Sequence, residues 1–199
     1  MKNYLNNSVL DCIGDTPLVR LNFPEFYCPI YAKLEMLNPG GSFKDRMGLY
    51  MVESAEKEGF LNPGGTIIEA SSGNQGAALA MIGAAKGYRV IITSSEKISE
   101  EKLKTLEAFG AEVKIYQTTK KLEDPNSYYS QAKKMATEIP GAYWPNQYHN
   151  PLNPKAHYKI TGPEIWEQTK GKITHFFAAT GSTGTIMGVG KYLKKKKKY

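Results

Sequence analysis

The sequence has few cysteines, and it lacks a long apolar run. Only two of its 199 residues are cysteine, Cys12 and Cys28, which are too few for a disulfide framework and are not spaced as metal ligands. No stretch approaches the run of roughly 18 apolar residues that would indicate a membrane span. The N-terminal residues contain no apolar core of a secretory signal. We therefore expect a cytoplasmic protein with no bound metal and no membrane partner.

There is also little net charge outside one segment. The chain has 26 basic and 19 acidic residues, a net charge of +7. Five of the lysines form the run 194–198, and without them 21 basic residues stand against 19 acidic ones. A terminal charge run is usually solvated. The composition therefore predicts no nucleic-acid partner.

Internal repeats are absent, and short β-branched segments alternate with helical patterns. The predicted strands are 66–70, 88–94, 111–116 and 173–179. The predicted helices are 44–58, 76–85, one between Ser99 as N-cap and Gly110 as its end, 127–138, 155–169 and a last helix from residue 186. Strands and helices in this alternation predict βαβ units and a parallel sheet. No strand is predicted after the last helix, so the architecture is expected to be incomplete at its C-terminal end.

Lys44 follows a turn and a helix-capping residue. The turn is Asn-Pro-Gly-Gly at 38–41, and Ser42 can cap the helix that begins after it. The helix dipole opposes a positive charge in the first turn, which favours the neutral amine that acts as a nucleophile or a base. The alternative is an ordinary surface lysine paired with Asp45.

Two further segments join a strand to a helix and resemble anion sites. In 71–76 (SSGNQG), backbone N–H groups at a helix N-terminus and nearby polar side chains suit a carboxylate, although a capped turn would read the same way. In 179–185 (ATGSTGT), glycines and hydroxyls suit a phosphate, but neither the Walker nor the dinucleotide-binding pattern fits. A reactive lysine, a carboxylate loop and a phosphate loop on one α/β chain are together typical of a pyridoxal-phosphate enzyme.

From 13–19 (IGDTPLV) to 188–190 (GVG), the chain resembles the fold-type-II pyridoxal-phosphate family of cysteine synthases (O-acetylserine sulfhydrylases) and cystathionine β-synthases. Within it, the chain is most similar to B-type cysteine synthases. The resemblance implies a tryptophan synthase β-like, two-domain α/β fold with parallel sheets. A small domain, 38–145, would carry the carboxylate loop, and 1–37 with 146–199 would form a large domain carrying the phosphate loop. The C-terminal part of that large domain would be missing.

The resemblance also implies roles for individual residues. Lys44 would hold pyridoxal 5'-phosphate and act in catalysis, and Asn74 would bind the hydroxyl of the cofactor ring. The phosphate would be bound by Gly181, Ser182, Thr183, Gly184 and Thr185. The substrate carboxylate would be bound by Ser71, Ser72, Gln75 and Gln147. Three residues depart from the family's usual pattern: Phe43 replaces a small aliphatic residue, Gln75 a threonine and Thr183 a glycine.

The implied reaction is β-replacement on an amino acid. The product would be L-cysteine, formed from O-acetylserine and sulfide, with cystathionine from serine and homocysteine as the alternative. The partners would then be an amino-acid substrate and a sulfur nucleophile, and the enzyme would be a homodimer. A hypothesis of another class is a truncated, non-catalytic paralogue or gene fragment. We interpret His149, His157 and His175 as structural.

Overall fold

The computed structural model describes residues 6–197 and divides the chain into two compact units. One unit contains the residues up to Met47 and those from Pro151 onward, and the other is Gly48–Asn150. The small domain expected at 38–145 begins and ends earlier along the chain than this second unit.

Within residues 6–197, strands and helices alternate through most of the length, and only helices follow the sixth strand. In chain order the elements are β1 (Leu18–Leu21), β2 (Ile30–Lys33), α1 (Lys44–Lys57), β3 (Thr66–Ala70), α2 (Asn74–Lys86), β4 (Arg89–Ser95), α3 (Glu100–Ala108), β5 (Glu112–Tyr116), α4 (Tyr128–Glu138), β6 (Ala142–Tyr143), α5 (Leu152–Ala156), α6 (Gly162–Gln168) and α7 (Gly184–Lys196). A π-helical turn, His157–Thr161, connects α5 to α6. Among the described residues, no helix has both the length and the apolar character needed to cross a membrane.

The second unit contains a four-stranded parallel sheet in the order β5-β4-β3-β6. The α/β fold with a parallel sheet is therefore confirmed. The strands predicted at 66–70, 88–94 and 111–116 form with bounds that differ by no more than one residue. Strand β3 is buried along its whole length, as expected for a strand in the middle of a parallel sheet.

Helix α2 lies close against the sheet because small residues face it. A Cβ atom added at Gly83 would lie 2.2 Å from Val90 Cγ2, so only glycine permits this approach. Ile68, Ala70 and Ile91 pack with Ala132 of α4 in a buried cluster. The packing on β3 and β4 holds the N-terminus of α2 at the carboxyl edge of the sheet, which is where ligands bind in open α/β sheets.

The first unit has a different construction. Strands β1 and β2 pair antiparallel, with Leu18 opposite Lys33. Helix α7 packs closely on α5 and the π-helical turn: a Cβ at Gly188 would lie 2.3 Å from the carbonyl oxygen of Pro154. The absent side chain thus lets the two helical backbones approach each other.

Two of the predicted elements differ from the structure. The helix predicted at 155–169 is divided into α5, the π-helical turn and α6. The strand predicted at 173–179 is wrong, because within 6–197 this segment pairs with no strand. Its apolar residues match the pattern of a buried strand, yet Phe177 is 87% exposed. A strand requires a neighbour to accept and donate its backbone hydrogen bonds, and an apolar pattern does not supply one.

Candidate active site

Lys44 begins α1 and lies beside the loop that precedes α7. Its Nζ is 3.1 Å from Ser182 Oγ. The backbone N–H of Lys44 donates to Ser42 Oγ at 3.2 Å, so Ser42 caps this helix as predicted. The first unit therefore brings together two segments that lie 138 positions apart in the chain.

The loop 181–185 forms one wall of a small cavity of about 80 Å³. Its lining is Phe43, Lys44, Ala179, Gly181, Ser182, Thr183, Gly184 and Thr185. Thr183 adopts φ +61°, a left-handed conformation, and its carbonyl accepts the N–H of Met187 at 3.0 Å. The first N–H groups of α7, which precede that bond, have no intrahelical acceptor. Helix-terminal N–H groups, three hydroxyl side chains and one lysine suit the phosphate and the aldehyde of pyridoxal phosphate.

Asn153 and His157 support this loop from α5 and the π-helical turn. Asn153 Nδ2 donates to Ser182 Oγ at 3.0 Å, and a Cβ on Gly184 would lie 1.8 Å from Asn153 Oδ1. His157 Nε2 is 3.2 Å from Thr185 Oγ1. Neither residue was assigned to the site from sequence, because nothing in their local pattern indicates contact with a loop about thirty positions later.

His157 is neutral in this environment. Burial lowers the pKa of its imidazole to about 4, and the positive charges of Lys44 and Arg46 act in the same direction. Its Nδ1 lies 2.9 Å from Thr161 Oγ1, so both ring nitrogens face a hydroxyl. Because a neutral imidazole has one N–H, it donates to one hydroxyl and accepts from the other. His157, predicted to be structural, therefore contacts Thr185 of the phosphate loop.

A buried charge network fixes the first turn of α1 in place. Arg46 is 1% exposed, and its Nε is 2.7 Å from Glu35 Oε2 while its Nη1 is 2.6 Å from Glu164 Oε2. Lys33 also pairs with Glu164. Burial by itself would raise the pKa of Glu164, but the bonds from Arg46 and Lys33 outweigh it and hold that pKa at about 2. With both carboxylates charged, Arg46 anchors the turn that carries Lys44.

Asp45 holds the glycine turn before the lysine. Its Oδ2 accepts the N–H of Gly40 at 2.6 Å, and in the described part of the chain its Oδ1 has no hydrogen-bond partner. Burial raises the pKa of this carboxyl to about 6. A Cβ on Gly40 would lie 2.5 Å from Asp45 Oδ1, so glycine is required for the contact. Asp45 thus bonds to the turn, while Lys44 bonds to Ser182.

The second unit carries the predicted carboxylate loop at the carboxyl edge of its sheet. Ser71 Oγ accepts the N–H of Gly76 at 3.0 Å and that of Gly73 at 3.3 Å, so this hydroxyl organises the start of α2. Ser72 and Asn74 are exposed. Gln147 is brought to the same edge, because its N–H donates at 3.3 Å to Glu69, the next-to-last residue of β3.

The side-chain amide of Gln75 is buried at the N-terminus of α2. Gln75 is 1% exposed, and neither Oε1 nor Nε2 of its amide has a hydrogen-bond partner within 6–197. Buried polar groups normally have partners. An amide that lacks them at a helix N-terminus can still bond to a ligand there. The structure therefore favours Gln75 as a ligand contact, although its role remains a prediction.

Comparison with known proteins identifies the family. Residues 9–198 match the family described as "Pyridoxal-phosphate dependent enzyme", and the chain belongs to it. The cystathionine beta-synthase of Apis mellifera is 48% identical over 190 residues, or 94% of this chain. Cysteine synthase 1 of Neurospora crassa is 45% identical over 92% of this chain. A solved hydrogen sulfide-producing enzyme of Fusobacterium nucleatum is 40% identical over 98% of this chain, with a TM-score of 0.91.

The chain spans only part of these relatives. It covers 38% of the Apis protein, 49% of the Neurospora protein and 63% of the Fusobacterium structure. The agreement in family and fold therefore concerns the portion that contains the lysine and both loops.

Proposed function

We propose that this chain carries out pyridoxal-phosphate-dependent β-replacement on an amino acid. The observation that carries the proposal is the 3.1 Å contact between Lys44 Nζ and Ser182 Oγ, which joins the expected cofactor lysine to the expected phosphate loop. The relatives named cysteine synthase and cystathionine beta-synthase support the same reaction class.

The two loops bind different groups. The N-terminal N–H groups of α7 and the hydroxyls of Ser182, Thr183 and Thr185 bind the phosphate. The start of α2, with Gln75, binds the substrate carboxylate. Bound pyridoxal phosphate supplies the electron sink for charge that develops on the substrate's α carbon. The Lys44 amine removes the proton from that carbon and acts as the general base.

For the substrates, we propose O-acetylserine and sulfide, which give L-cysteine. The Ser182-Thr183 centre of the phosphate loop, similar to that of B-type cysteine synthases, supports this choice. Serine with homocysteine, which gives cystathionine, is the alternative. Supplying the chain with each substrate pair and measuring both products decides between them, since turnover confined to serine and homocysteine would reverse the choice.

A non-catalytic paralogue is the second hypothesis. Phe177 is exposed, and among residues 6–197 the segment 173–179 pairs with no strand; both observations favour it, because an uncovered apolar segment promotes aggregation. Adding pyridoxal phosphate to the purified chain, followed by a β-replacement assay, separates the two hypotheses. A catalytic chain acquires the visible absorption of the lysine-bound cofactor and turns over substrate, whereas a non-catalytic paralogue at most acquires the absorption.

The role of Lys44 is tested by Lys44→Ala. We expect the variant to lose the visible absorption and the β-replacement activity while its circular dichroism stays unchanged. The matched control is Lys57→Ala at the exposed end of the same helix. Unchanged absorption and activity in Lys44→Ala would assign the cofactor to another lysine.

A further inference from the structure

The Ser182 hydroxyl lies between two donors. Its Oγ is 3.1 Å from Lys44 Nζ and 3.0 Å from Asn153 Nδ2. An asparagine NH₂ group can only donate hydrogen bonds, and so can the Lys44 side chain while it carries its proton as an ammonium. With Lys44 in that form, Ser182 accepts both bonds. A hydroxyl has two acceptor sites and one proton, so both acceptor sites are used and the proton of Ser182 must be donated elsewhere.

The direction left for that proton is the cavity. Ser182 lines the cavity of about 80 Å³ together with Lys44 and the start of α7. We propose that Asn153 is a positioning residue, which orients the Ser182 hydroxyl so that it donates into this cavity to a phosphate oxygen. The inference rests on the proposed function, because it takes the phosphate to be that of pyridoxal phosphate.

Asn153 is suited to this task because it is itself held rigidly. It is 2% exposed on α5, and its Oδ1 packs against Gly184 so closely that a Cβ there would lie 1.8 Å away. The amide therefore lies directly under the phosphate loop. If the amide were reversed, Oδ1 would face Ser182 and accept its proton, and the hydroxyl could no longer donate to a ligand.

The arrangement also couples Ser182 to Lys44. In the unliganded chain Lys44 contributes one of the two bonds to Ser182, and Asn153 contributes the other. A Lys44 nitrogen that is bonded to the cofactor would no longer donate as an ammonium, whereas the bond from Asn153 does not depend on Lys44.

The experiment measures cofactor binding by visible absorption, with two probes that differ only in the phosphate. Asn153→Ala should weaken pyridoxal phosphate binding about tenfold or more, because a hydrogen bond to a charged group is strengthened by that charge. Binding of pyridoxal, which has no phosphate, should change less than about twofold. Asn126→Ala, at an exposed position, is the control and should alter neither.

A double-mutant cycle tests whether Asn153 acts through Ser182. Ser182→Ala should weaken pyridoxal phosphate binding to a similar extent, and adding Asn153→Ala to it should cause little further loss. If Asn153→Ala does not fold, the isosteric Asn153→Asp replaces it. An aspartate would accept the Ser182 proton, so it should again weaken pyridoxal phosphate far more than pyridoxal.

The outcomes separate the inference from the function. Equal weakening of both probes, or full additivity in the cycle, would overturn the positioning role alone. If the unaltered chain binds no pyridoxal phosphate, the proposed function fails and the inference fails with it.

Discussion

Gln75→Met is expected to stabilise the unliganded chain. Gln75 is 1% exposed, and both polar atoms of its amide are without partners in the described residues. Burying an amide without replacing its bonds to water costs about 1–3 kcal/mol. Methionine has a similar length and no amide to desolvate. The free energy of unfolding should therefore rise by about 1–2 kcal/mol in the variant.

Urea denaturation followed by tryptophan fluorescence measures this difference. Gln117→Met is the matched control, because Gln117 is exposed after β5 and its replacement should change the free energy of unfolding by less than about 0.5 kcal/mol. A Gln75→Met variant that is more stable than the unaltered chain but has lost amino-acid binding would support a ligand contact. Functional sites often reduce the stability of the folded protein. If Gln75→Met lost 1 kcal/mol or more, the amide would have a structural role and the reasoning would be refuted.

Further predictions concern the first unit. The folded-state pKa of Asp45, about 6, lies above its ordinary value of 3.8, so the free energy of unfolding should fall as the pH rises from about 4 to about 6. This fall is at most about 3 kcal/mol, and smaller with solvent screening. Asp45→Asn should remove it, and an unchanged dependence of the free energy of unfolding on pH, measured by urea denaturation, would contradict the assignment. The pH dependence from Glu164 has the opposite sign, because its folded-state pKa is lowered to about 2. The stability from its pairing is therefore present above its ordinary pKa and should be lost as the pH falls through about 2. In acid titrations, Glu164→Gln should reduce that loss. Gly184→Ala should lower the melting temperature through its clash with Asn153, whereas Gly190→Ala in the same helix, where a Cβ meets nothing within 4 Å, should maintain or raise it.

The sequence predicted the elements whose causes are local. The strand at Thr66–Ala70 forms with the predicted bounds, because a short β-branched run between turns has few alternatives. Ser99 caps α3, accepting the N–H of Lys102 at 3.4 Å, because capping depends on residues within one turn. The lysine motif and the phosphate loop were recognisable for the same reason, since each lies within a few consecutive residues.

The tertiary structure decided what depends on distant partners. The segment 173–179 has the composition of a strand, but strand pairing requires a neighbour that its own residues cannot specify. Arg46 reads as an ordinary helix residue, yet it pairs with Glu164, which lies 118 positions later. Asn153 has no local feature of a site residue and reaches Ser182 only because glycines let α7 approach α5. Local patterns determine which backbone forms, whereas contacts between distant segments determine which side chains share a site, because those contacts depend on how the elements pack.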